Sequence, residues 1–499
     1  MKTPVILVVD IGSSSTRAIF FDSAAQSIPG AVAQIPISFT TTVDGGATID
    51  APTLFSRIVD SIDLLLKNHP SEAKRVVGVA SDSFVGNLLG VDKNYQPLTP
   101  VYTYADTRNA QDVKIIRQDL GEEGATAAHQ RTATMLHTSY APARLKWIAR
   151  TKPEVFAKVA HWITFGEYFL WRLFGKAGTS LSAASWNGLL NFRTLSLDSE
   201  WLSYLGMTES QFSPLTDLDQ PFSGLKTPWG ERWEELKSVP WFPTIGDGAA
   251  ANIGSGCDNP DRIALTLGTT GAMRVVLNPA DMRQIPGGLW CYRVERNRAL
   301  LGGATTEGGN FFAWMKRTLQ LPPPEQTEKE LSNLIPGSHG LSILPFIQGE
   351  RAPGWNEDAK ANIQGITLNT KPMEILQSGL ESIAYRFAII YRKISEHLPV
   401  SKTRQIVVGG GSMLSSQAWT QIFADVLEEP LITLLEKENT SRGAALLALE
   451  KLGLIKKTSD LQAETGKTFQ PNPKNSALHR SAIDHQAELY KKIYPASSG

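Results

Sequence analysis

The sequence predicts an α/β protein of two similar domains that face each other across a central cleft. Residues 5–22 (VILVVDIGSSSTRAIFFD) combine an apolar strand, a turn of one glycine with hydroxyl residues, and a second strand. Residues 263–276 (IALTLGTTGAMRVV) repeat that order, and Gly12 and Gly268 lie about half the chain length apart. Two copies of one hairpin at this spacing indicate a duplicated domain, with each copy offering a turn to one shared ligand.

The first hairpin has the residue types that a phosphate-binding turn requires. Residues 5–9 are apolar and too few for a helix, so they predict a buried strand with Asp10 after it. Gly12 permits a tight turn close to a ligand, and the hydroxyl residues 13–16 offer donors to phosphate oxygens. A carboxylate beside bound phosphate suits Mg²⁺, which prefers oxygen ligands. An ordinary polar turn would explain one copy, but the duplication argues against it.

Composition narrows the function classes. Lys plus Arg and Asp plus Glu are both 49, so neither nucleic acid nor a membrane is indicated as a partner. The two cysteines, Cys257 and Cys291, offer neither a disulfide framework nor a metal cluster. The apolar run 5–9 is too short for a signal peptide or a membrane span. We therefore expect a cytoplasmic monomer or homodimer that acts on a small molecule.

The elements that follow the first hairpin are predicted from hydrophobic spacing. Residues 53–67 show helical periodicity, and residues 75–79 form a buried strand. A polar loop at 81–87 follows, and residues 88–92 with the segment 101–108 (VYTYADTR) predict a hairpin. The acidic and basic residues that end this segment could form a surface ion pair.

The middle of the chain is mostly helical. Helical spacing dominates residues 110–175, including 141–149 and the aromatic-rich stretch 164–173, whose aromatic residues we assign to the core. Residues 180–191 (SLSAASWNGLLN) are small and polar, which is typical of a turn that faces a substrate. Residues 214–243 are rich in proline, glycine and tryptophan and predict irregular structure.

The second half of the chain contains a glycine-rich seat for a nucleotide. Residues 299–314 predict a strand, a glycine-rich turn and a helix, and residues 372–397 predict a long helix. Residues 406–408 form a strand that runs into GGGS at 409–412, and the helix 419–428 follows. A strand, three glycines and a helix together can accommodate a flat adenine or a phosphate group.

Asp247 is the strongest candidate for a catalytic group. It lies between Gly246 and Gly248 at the start of an alanine-rich helix, about 20 residues before the second hairpin. A carboxylate at a helix start is most often a cap. Beside a phosphate-binding turn it can also accept a hydroxyl proton during phosphoryl transfer, and we favour that role.

Other catalytic motifs fail on inspection. Gly466, Lys467 and Thr468 look like the end of a Walker A loop, but Leu461 occupies the position of its first glycine. The sequence contains no G-x-S-x-G, no H-E-x-x-H and no paired C-x-x-C. Its eight histidines are scattered, which argues against a metal site made of imidazoles.

Taken together, the motifs resemble the FGGY family of carbohydrate kinases over nearly the whole chain. The segments that carry the resemblance are DIGSSSTR from Asp10, ADTR at 105–108, GDGAAANIG around Asp247, LGTTG at 267–271, VVGGGSMLSSQAWTQIFADVLEEPL from Val407 and LYKKIYP at 489–495. The resemblance implies an α/β, duplicated actin-like (ribonuclease H-like) two-domain fold with a central cleft. It implies a sugar-binding domain at 1–248, an ATP-binding domain at 249–455 and a tail at 456–499 that packs on the core.

The resemblance also implies a function and a set of site residues. The activity would be phosphorylation of a terminal hydroxyl of a sugar or sugar acid by ATP, with Mg²⁺ near Asp10 and Asp247 as the catalytic base. The residues implied to bind ATP and its phosphates are Gly12, Ser13, Ser14, Ser15, Arg17, Gly268, Thr269, Thr270, Gly309, Gly410, Gly411 and Ser412. The residues implied to contact the sugar are Phe84, Gly86, Asn87, Asp106, His137 and Asp247.

Four stretches look most like gluconate kinases within this family. They are HTSYAPARLKWI from His137, ALTLGTTGAMR from Ala264, WCYRVERNRALLGG from Trp290 and GERAPGWNEDA from Gly349. The resemblance therefore favours gluconate as the substrate, and xylulose or another pentulose or polyol is the alternative. A gluconate carboxylate needs a cationic partner. Arg108 is a candidate, although a structural role explains it equally well.

The sequence also departs from the family pattern. Val85 and Gly86 stand where many members have a Met-His or Arg-Glu pair, and Tyr104 replaces the usual tryptophan of the W-x-D-x-R stretch. Arg144 stands where the family signature has lysine. These departures concern the substrate rather than the phosphoryl chemistry.

Two other function classes are compatible with twin phosphate hairpins. One is a nucleotide-driven structural protein of the actin or chaperone type, and the other is a kinase-like regulator that binds sugar without turnover. Asp247, the ADTR segment and the triple glycine favour a kinase over the structural protein, and the presence of all expected phosphate and base residues argues against the regulator.

Overall fold

The structure is a computed structural model that describes residues 3–495. Within that range the strands are β1 Val5–Ile11, β2 Ser15–Phe21, β3 Ser27–Pro36, β4 Thr40–Thr41, β5 Ala47–Ile49, β6 Val76–Ser83, β7 Leu89–Val91, β8 Val101–Tyr102, β9 His161–Ile163, β10 Thr179–Ser180, β11 Leu215–Thr216, β12 Ile245–Gly246, β13 Arg262–Leu267, β14 Gly271–Leu277, β15 Trp290–Glu295, β16 Arg298–Thr305, β17 Ser342–Leu344, β18 Asn362–Gln364, β19 Gln405–Gly409, β20 Leu431–Leu434 and β21 Thr465–Phe469.

The helices of the same range alternate with these strands. They are α1 Ala51–Asn68, α2 Pro70–Ala73, α3 Ala110–Thr132, α4 Ala141–Thr151, α5 Pro153–Lys158, α6 Phe165–Phe174, α7 Leu181–Trp186, α8 Ser199–Leu205, α9 Trp229–Arg232, α10 Asp247–Gly254, α11 Gly309–Thr318, α12 Pro324–Leu331, α13 Pro372–Ser395, α14 Gly411–Leu414, α15 Gln417–Leu427, α16 Asn439–Lys451 and α17 Pro473–Ile493. Short 3₁₀ helices occur at Glu209–Gln211, Glu234–Leu236, Pro279–Asp281 and Thr458–Asp460. None of the helices between residues 3 and 495 is both long enough and apolar enough to cross a membrane.

Two main sheets repeat one topology, which confirms the predicted duplication. The first sheet has the order β12-β6-β1-β2-β3, and the central part of the second has the order β20-β19-β13-β14-β16. In each sheet the first three strands are parallel and the last two pair antiparallel. The second sheet adds β15 at one edge and β21 at the other. The two predicted hairpins are the equivalent antiparallel pairs β1–β2 and β13–β14.

Apolar runs account for the central strands. Every residue of β1 is buried, and helix α1 covers the neighbouring strands β2 and β3 with one apolar face. Such strands, buried on both faces, read as continuous apolar runs rather than as alternation. Asp50 caps α1 by accepting a hydrogen bond from the backbone amide of Thr53 at 2.9 Å.

Helices α10 and α16, one from each repeat, pack directly against each other. A Cβ atom on Gly254 would lie 1.7 Å from the backbone oxygen of Asn439, and one on Gly443 would lie 1.8 Å from that of Ala250. Only glycine therefore fits at either position, and the two helices meet backbone to backbone. This contact fixes the spacing of the two repeats.

Two local predictions were wrong, and one was confirmed in part. The strand predicted at 75–79 continues through Ser83, so residues 81–83 belong to β6 instead of a loop. The hairpin predicted for residues 88–92 and 101–108 forms through isolated antiparallel bridges, from Leu88 to Tyr102 and from Val91 to Pro97, while β7 pairs on its other side with β9. Residues 180–191, predicted as a turn, contain helix α7, which Ser180 caps through its side chain.

The C-terminal segment contacts the second repeat. Strand β21 extends that repeat's sheet through β20, and α17 packs against α15 and β17. The predicted boundary between 248 and 249 falls inside α10. The division into 1–248, 249–455 and 456–499 stays a prediction.

Candidate active site

Three neighbouring parallel strands bring three carboxylates to one edge of the first sheet. Asp10 on β1 is in register with Asp82 on β6, and Asp82 is in register with Ile245 on β12. Asp247 follows β12 directly and begins α10. Residues in register on parallel strands point to the same face of a sheet, so the fold gathers these acids. The structure thus places the predicted metal residue and the predicted base at the same sheet edge, on either side of the strand that carries Asp82.

Asp10 is held by groups from both repeats. Its Oδ2 accepts hydrogen bonds from Arg17 Nε at 3.1 Å and from Ser441 Oγ at 3.3 Å. Arg17 Nη1 also donates to Glu438 Oε2 at 2.6 Å. The guanidinium of Arg17, predicted to bind phosphate, is therefore occupied by two carboxylates in this structure. The chain beside α16 and the β1–β2 hairpin are joined through this network.

Asp82 is a candidate site residue that the sequence analysis did not single out. Its side chain is fully buried, and neither carboxylate oxygen has a hydrogen-bond partner among residues 3–495. Burial, together with the nearby charges of Asp10 and Asp247, raises the pKa of Asp82 well above its ordinary value. The signal was present, because residues 76–83 (VVGVASDS) repeat the pattern of an apolar strand ending near an aspartate.

Asp247 has the environment of a general base. Its Oδ1 accepts a hydrogen bond from the backbone amide of Gly248 at 2.7 Å, but Asp247 is the first residue of α10 and Gly246 is its N-cap, so Asp247 is not the cap that the sequence allowed. Burial is the main cause that raises its pKa to about 6, and the charge of Asp10 adds to the effect. The Gly248 amide and the charge of Arg274 act in the opposite direction. A base with this pKa is ionised at neutral pH and still basic enough to take a proton.

The predicted nucleotide residues of the second repeat converge. Gly309 donates its backbone amide to the oxygen of Gly268 at 2.8 Å, and Asn310 donates to Thr269 at 3.0 Å. Ser412 Oγ donates to the same Gly268 oxygen at 3.1 Å. The β13–β14 turn, the start of α11 and the glycine-rich turn after β19 therefore form one surface.

Close packing explains the glycines on that surface. A Cβ atom on Gly410 would lie 2.4 Å from the backbone oxygen of Leu267, and Gly410 has a φ of +93° that favours glycine. A Cβ atom on Gly309 would lie 1.9 Å from Ser412 Oγ and 2.6 Å from the oxygen of Gly268. Gly411, by contrast, has open space around its Cβ position.

We expect Gly309→Ala to lower nucleotide affinity about tenfold or more, because the methyl group must push the start of α11 away from Gly268. Gly287→Ala is the matched control, since Gly287 is exposed and a Cβ there would meet nothing within 4 Å. Titration of each protein with ATP, followed by intrinsic fluorescence, measures the change. Equal affinities for the two variants would contradict the expectation.

The first hairpin is more enclosed than the second. Ser13 and Ser14 form its turn and are partly or fully exposed, whereas Ser15 is buried and its Oγ accepts a hydrogen bond from Gln34 at 3.0 Å. The backbone amide of Gly12 donates to the oxygen of Ser15 at 3.0 Å. Ser13 and Ser14 are thus the hydroxyl groups at the tip, and Ser15 is occupied in holding the turn.

A cavity of about 310 Å³ lies between the two repeats and reaches Asp247. Thr270 of the second hairpin and Gly86 of the predicted sugar loop line it. One wall is aromatic: Tyr292 stacks on Trp186 with 3.9 Å between ring centres and on Trp290 with 4.5 Å. Stacked rings beside polar groups are a suitable wall for a small hydroxylated ligand.

Of the predicted sugar residues, Gly86 and Asp247 line this cavity, whereas Phe84 and Asn87 support the loop from behind. Phe84 is buried and meets Phe39 edge to face at 5.4 Å. Asn87 Oδ1 accepts a hydrogen bond from the amide of Phe165 at 2.7 Å, and its amide nitrogen donates to the oxygen of Phe84. Both residues line a neighbouring cavity that shares Gly86 and Trp186 with this one, and their contact with the sugar stays a prediction.

Asp106 also lies outside the cavity lining. It is buried, and both of its carboxylate oxygens accept hydrogen bonds from Arg108. The guanidinium of Arg108 lies 4.8 Å from the ring centre of Trp147. Arg108 is thus already paired and stacked, which favours the structural role that the sequence also allowed, and the sugar contact of Asp106 stays a prediction.

His137 sits one layer behind the cavity wall. Its Nδ1 lies 3.0 Å from Ser139 Oγ, and its ring meets Trp355 edge to face at 5.2 Å. Burial, followed by the charge of Arg351, lowers its pKa to about 3. His137 is therefore neutral at physiological pH and does not supply a cation.

Two arginines in the cavity lining were missed. Arg274 on β14 and Arg351 after β17 are its cationic members, and Asp247 is its one carboxylate among the described lining residues. A sequence does not show which of 49 basic residues lack an acidic partner. The only available signal was that both arginines lie in segments quoted above for their likeness to gluconate kinases.

Both repeats of the chain match models of one protein family. Residues 5–254 match the model of the N-terminal domain of the FGGY family of carbohydrate kinases, and residues 263–451 match that of its C-terminal domain. A gluconokinase of Bacillus subtilis (strain 168) is 25% identical over 505 residues, covering 99% of this chain and 94% of the relative.

Solved structures give the same picture. The crystal structure of a gluconate kinase from Lactobacillus acidophilus has a TM-score of 0.88 at 25% identity and covers 99% of each chain. A ligand-bound xylulose kinase from the same organism has a TM-score of 0.87 at 26% identity, again covering 99% of each chain. Similarity in sequence and in fold therefore extends along the chain.

Proposed function

Starting from the fact that this chain belongs to the FGGY family of carbohydrate kinases, we propose that it phosphorylates gluconate, with Asp247 as the general base. Membership makes the chain a phosphotransferase that uses ATP and a hydroxyl acceptor. The identity of the sugar, the metal and the roles of individual residues belong to the proposal. The gluconokinase and gluconate kinase similarities support gluconate.

One observation carries the catalytic assignment. Asp247 lines the same cavity as Thr270 and Gly271, which belong to the second phosphate hairpin. A hydroxyl group in this cavity would thus lie between a base and the turn that binds the transferred phosphoryl group. Asp247 also begins α10, whose packing against α16 holds its backbone in place.

The proposed reaction follows from this placement. The terminal hydroxyl of the sugar loses its proton to Asp247 as its oxygen forms a bond to the γ-phosphorus of ATP. The bond between that phosphorus and the β,γ-bridging oxygen breaks, and ADP leaves. Gly12, Ser13, Ser14 and Gly268–Thr270 orient the phosphates. Enclosure between the repeats excludes water, which would otherwise compete as the acceptor.

The carboxylates fit a magnesium ion. Asp10 and the unpartnered oxygens of Asp82 are hard oxygen donors at one edge of the sheet. Within residues 3–495 no three or more acidic, histidine or cysteine side chains are grouped to hold a metal by themselves. Mg²⁺ commonly uses one or two carboxylates together with substrate phosphates and water. When bound to Asp10, the ion would neutralise charge on the phosphates.

The proposal divides the ligands between the repeats. Residues 1–248 would supply the sugar side through Gly86 and the helix α7, and residues 249–455 would supply the nucleotide side through Gly309, Gly410 and Ser412. The convergence of those three residues around Gly268 supports this division.

The pKa of Asp247 predicts a pH profile. Since the pKa is raised to about 6 and the ionised form is the base, we expect kcat/KM to fall about tenfold per pH unit below 6 and to level off above it. A raised carboxyl pKa favours folding at low pH and loses that contribution as pH rises through 6, so this group does not unfold the protein at pH 5. Initial rates between pH 5 and 8, with melting curves as the control, test this. A flat profile would oppose the assignment.

A panel assay tests the substrate. ADP release with Mg-ATP is measured by a coupled assay against gluconate, pentuloses, glycerol, other polyols and aldoses. We expect gluconate to give the highest kcat/KM. Activity on a neutral ketose or polyol alone would keep the kinase and remove gluconate. ADP release that no sugar stimulates would instead favour a regulator or a nucleotide-driven structural protein.

A pentulose such as xylulose is the second candidate. The observation in its favour is the similarity to the xylulose kinase of Lactobacillus acidophilus, which equals the gluconate kinase similarity in extent. The cationic character of the cavity favours gluconate over this alternative, because a neutral ketose has no carboxylate that could pair with the two arginines.

A further inference from the structure

Two arginines of the cavity lack acidic partners, unlike Arg108 and Arg386 nearby. The Nε atoms of Arg274 and Arg351 are buried and have no hydrogen-bond partner among residues 3–495. By contrast, Arg108 pairs with Asp106, and Arg386 pairs with Glu350, the residue next to Arg351. The carboxylate of Glu350 therefore does not pair with its neighbour Arg351, because it already pairs with Arg386.

The cavity has a surplus of positive charge. Arg274 and Arg351 are opposed by Asp247 alone among the charged residues of its lining. Burial is the main cause that lowers the pKa of Arg274, which shows how much solvation this guanidinium has lost. Bringing two poorly solvated cations to one cavity costs free energy unless an anion binds there.

A third unpaired donor in the cavity also indicates a ligand with oxygen atoms. The indole Nε1 of Trp186 is buried without an acceptor among the described residues, and Trp186 is part of the aromatic wall. The oxygen atoms of a bound ligand would accept hydrogen bonds from unpaired donors of this kind. A molecule that carries both a carboxylate and several hydroxyl groups would satisfy the arginines and the indole together.

Arg351 lies on the sugar side of the cavity. Its guanidinium carbon is 5.9 Å from the ring centre of Trp355, which in turn contacts His137. Tyr140 and Tyr292, which also line the cavity, are joined by a hydrogen bond between their hydroxyl groups. Arg274 lies nearer to Asp247: a Cβ atom on Gly248 would be 3.9 Å from Arg274 Nε.

From these contacts we propose that Arg351, with Arg274 beside it, binds the carboxylate of an open-chain sugar acid, so that the cavity selects acidic over neutral substrates. This inference rests on the proposed function and deepens it, because it assigns the charge recognition to residues other than Arg108. The planar guanidinium of Arg351 can bind a carboxylate through two parallel hydrogen bonds. The γ-phosphate of ATP is the other anion that could use these arginines.

The substrate selectivity of an Arg351 variant shows whether Arg351 binds the carboxylate of the sugar acid or the γ-phosphate of ATP. We expect Arg351→Met to lower kcat/KM for gluconate about 100-fold, to change that for the neutral hexitol sorbitol less than about threefold, and to leave the KM for ATP unchanged. Arg351→Lys should recover part of the loss on gluconate, because it restores the charge without the planar fork. Arg296→Met is the matched control, since Arg296 is exposed in the turn after β15.

Binding without turnover provides the second measurement. Calorimetric titration of gluconate into the nucleotide-free protein should give a measurable affinity that Arg351→Met removes and Arg296→Met retains. Equal losses on gluconate and sorbitol, or a raised KM for ATP instead, would overturn the assignment. Turnover of neutral sugars with no gluconate binding would overturn this inference and keep the kinase. Gluconate binding that depends on Arg351 in a protein without sugar-stimulated turnover would remove the proposed function and keep the carboxylate site.

Discussion

Asp247→Asn is expected to reduce turnover about 1,000-fold while nucleotide affinity changes less than about threefold. Asparagine has nearly the shape of aspartate, and its side-chain oxygen can still accept the hydrogen bond from the Gly248 amide. It cannot take a proton from a sugar hydroxyl. The loss should therefore appear in kcat, and the substitution should not destabilise the fold, because it removes a carboxylate whose ionised form burial disfavours.

The control for this experiment is Asp261→Asn. Asp261 lies in the segment that connects α10 to β13, and its side chain is exposed. Steady-state kinetics with the preferred sugar, combined with ATP titrations and melting curves, compare the two variants. An Asp247→Asn enzyme that keeps more than about a tenth of its turnover would remove Asp247 from the role of base.

Arg144→Met should cause the largest loss of stability. Arg144 is buried, and its two terminal nitrogens donate hydrogen bonds to the backbone oxygens of four residues on three separate segments. These oxygens belong to Gly86 at 3.4 Å, Thr103 at 2.6 Å, Asp106 at 3.1 Å and Thr138 at 3.0 Å. Leaving buried carbonyl groups without donors should lower the free energy of unfolding by about 3–6 kcal/mol.

The same substitution should also act on the sugar side. The segments that Arg144 holds include the loop of Gly86, which lines the cavity, so KM for the sugar should rise more than KM for ATP. Arg144→Lys, the residue of the family signature, should give an intermediate effect because an ammonium reaches fewer carbonyl groups. Arg57→Met is the control: Arg57 is exposed, and its surface pair with Asp60 spans 3.9 Å. A melting temperature of Arg144→Met equal to that of Arg57→Met would contradict the assignment.

The sequence predicted the duplication and the position of Asp247 at a helix start because both depend on local residue patterns. An apolar run, a glycine and hydroxyl residues specify a hairpin in either repeat, and Asp247 begins a helix whose alanines have high helix propensity. Gly309, Gly410 and Ser412 were also predicted, and the structure brings them together at Gly268. Where chemistry and backbone conformation are set by neighbours in the chain, a sequence is sufficient.

Long-range pairing could not be predicted in the same way. The registration of Asp82 with Asp10 depends on which strands lie side by side, and Asp82 was overlooked as a result. From the sequence, Arg108 fits a carboxylate partner and a structural residue equally well, and only the structure shows it bound to Asp106. Arg351 is the opposite case: only the tertiary structure shows that its neighbour Glu350 pairs with Arg386, which leaves Arg351 without this acidic partner. The availability of a charge is a property of the fold rather than of the residue.

The glycine contact between α10 and α16 has a mechanical consequence. Since Gly254 and Gly443 place backbone against backbone, any larger side chain at either position would force the two helices apart. Asp247 begins the first helix, and Ser441, which binds Asp10, belongs to the first turn of the second. Separation of these helices would therefore move Asp247 away from Ser441 and from the Asp10 carboxylate that Ser441 contacts. A substitution at either glycine would thus change the spacing of Asp10 and Asp247 without altering either carboxylate.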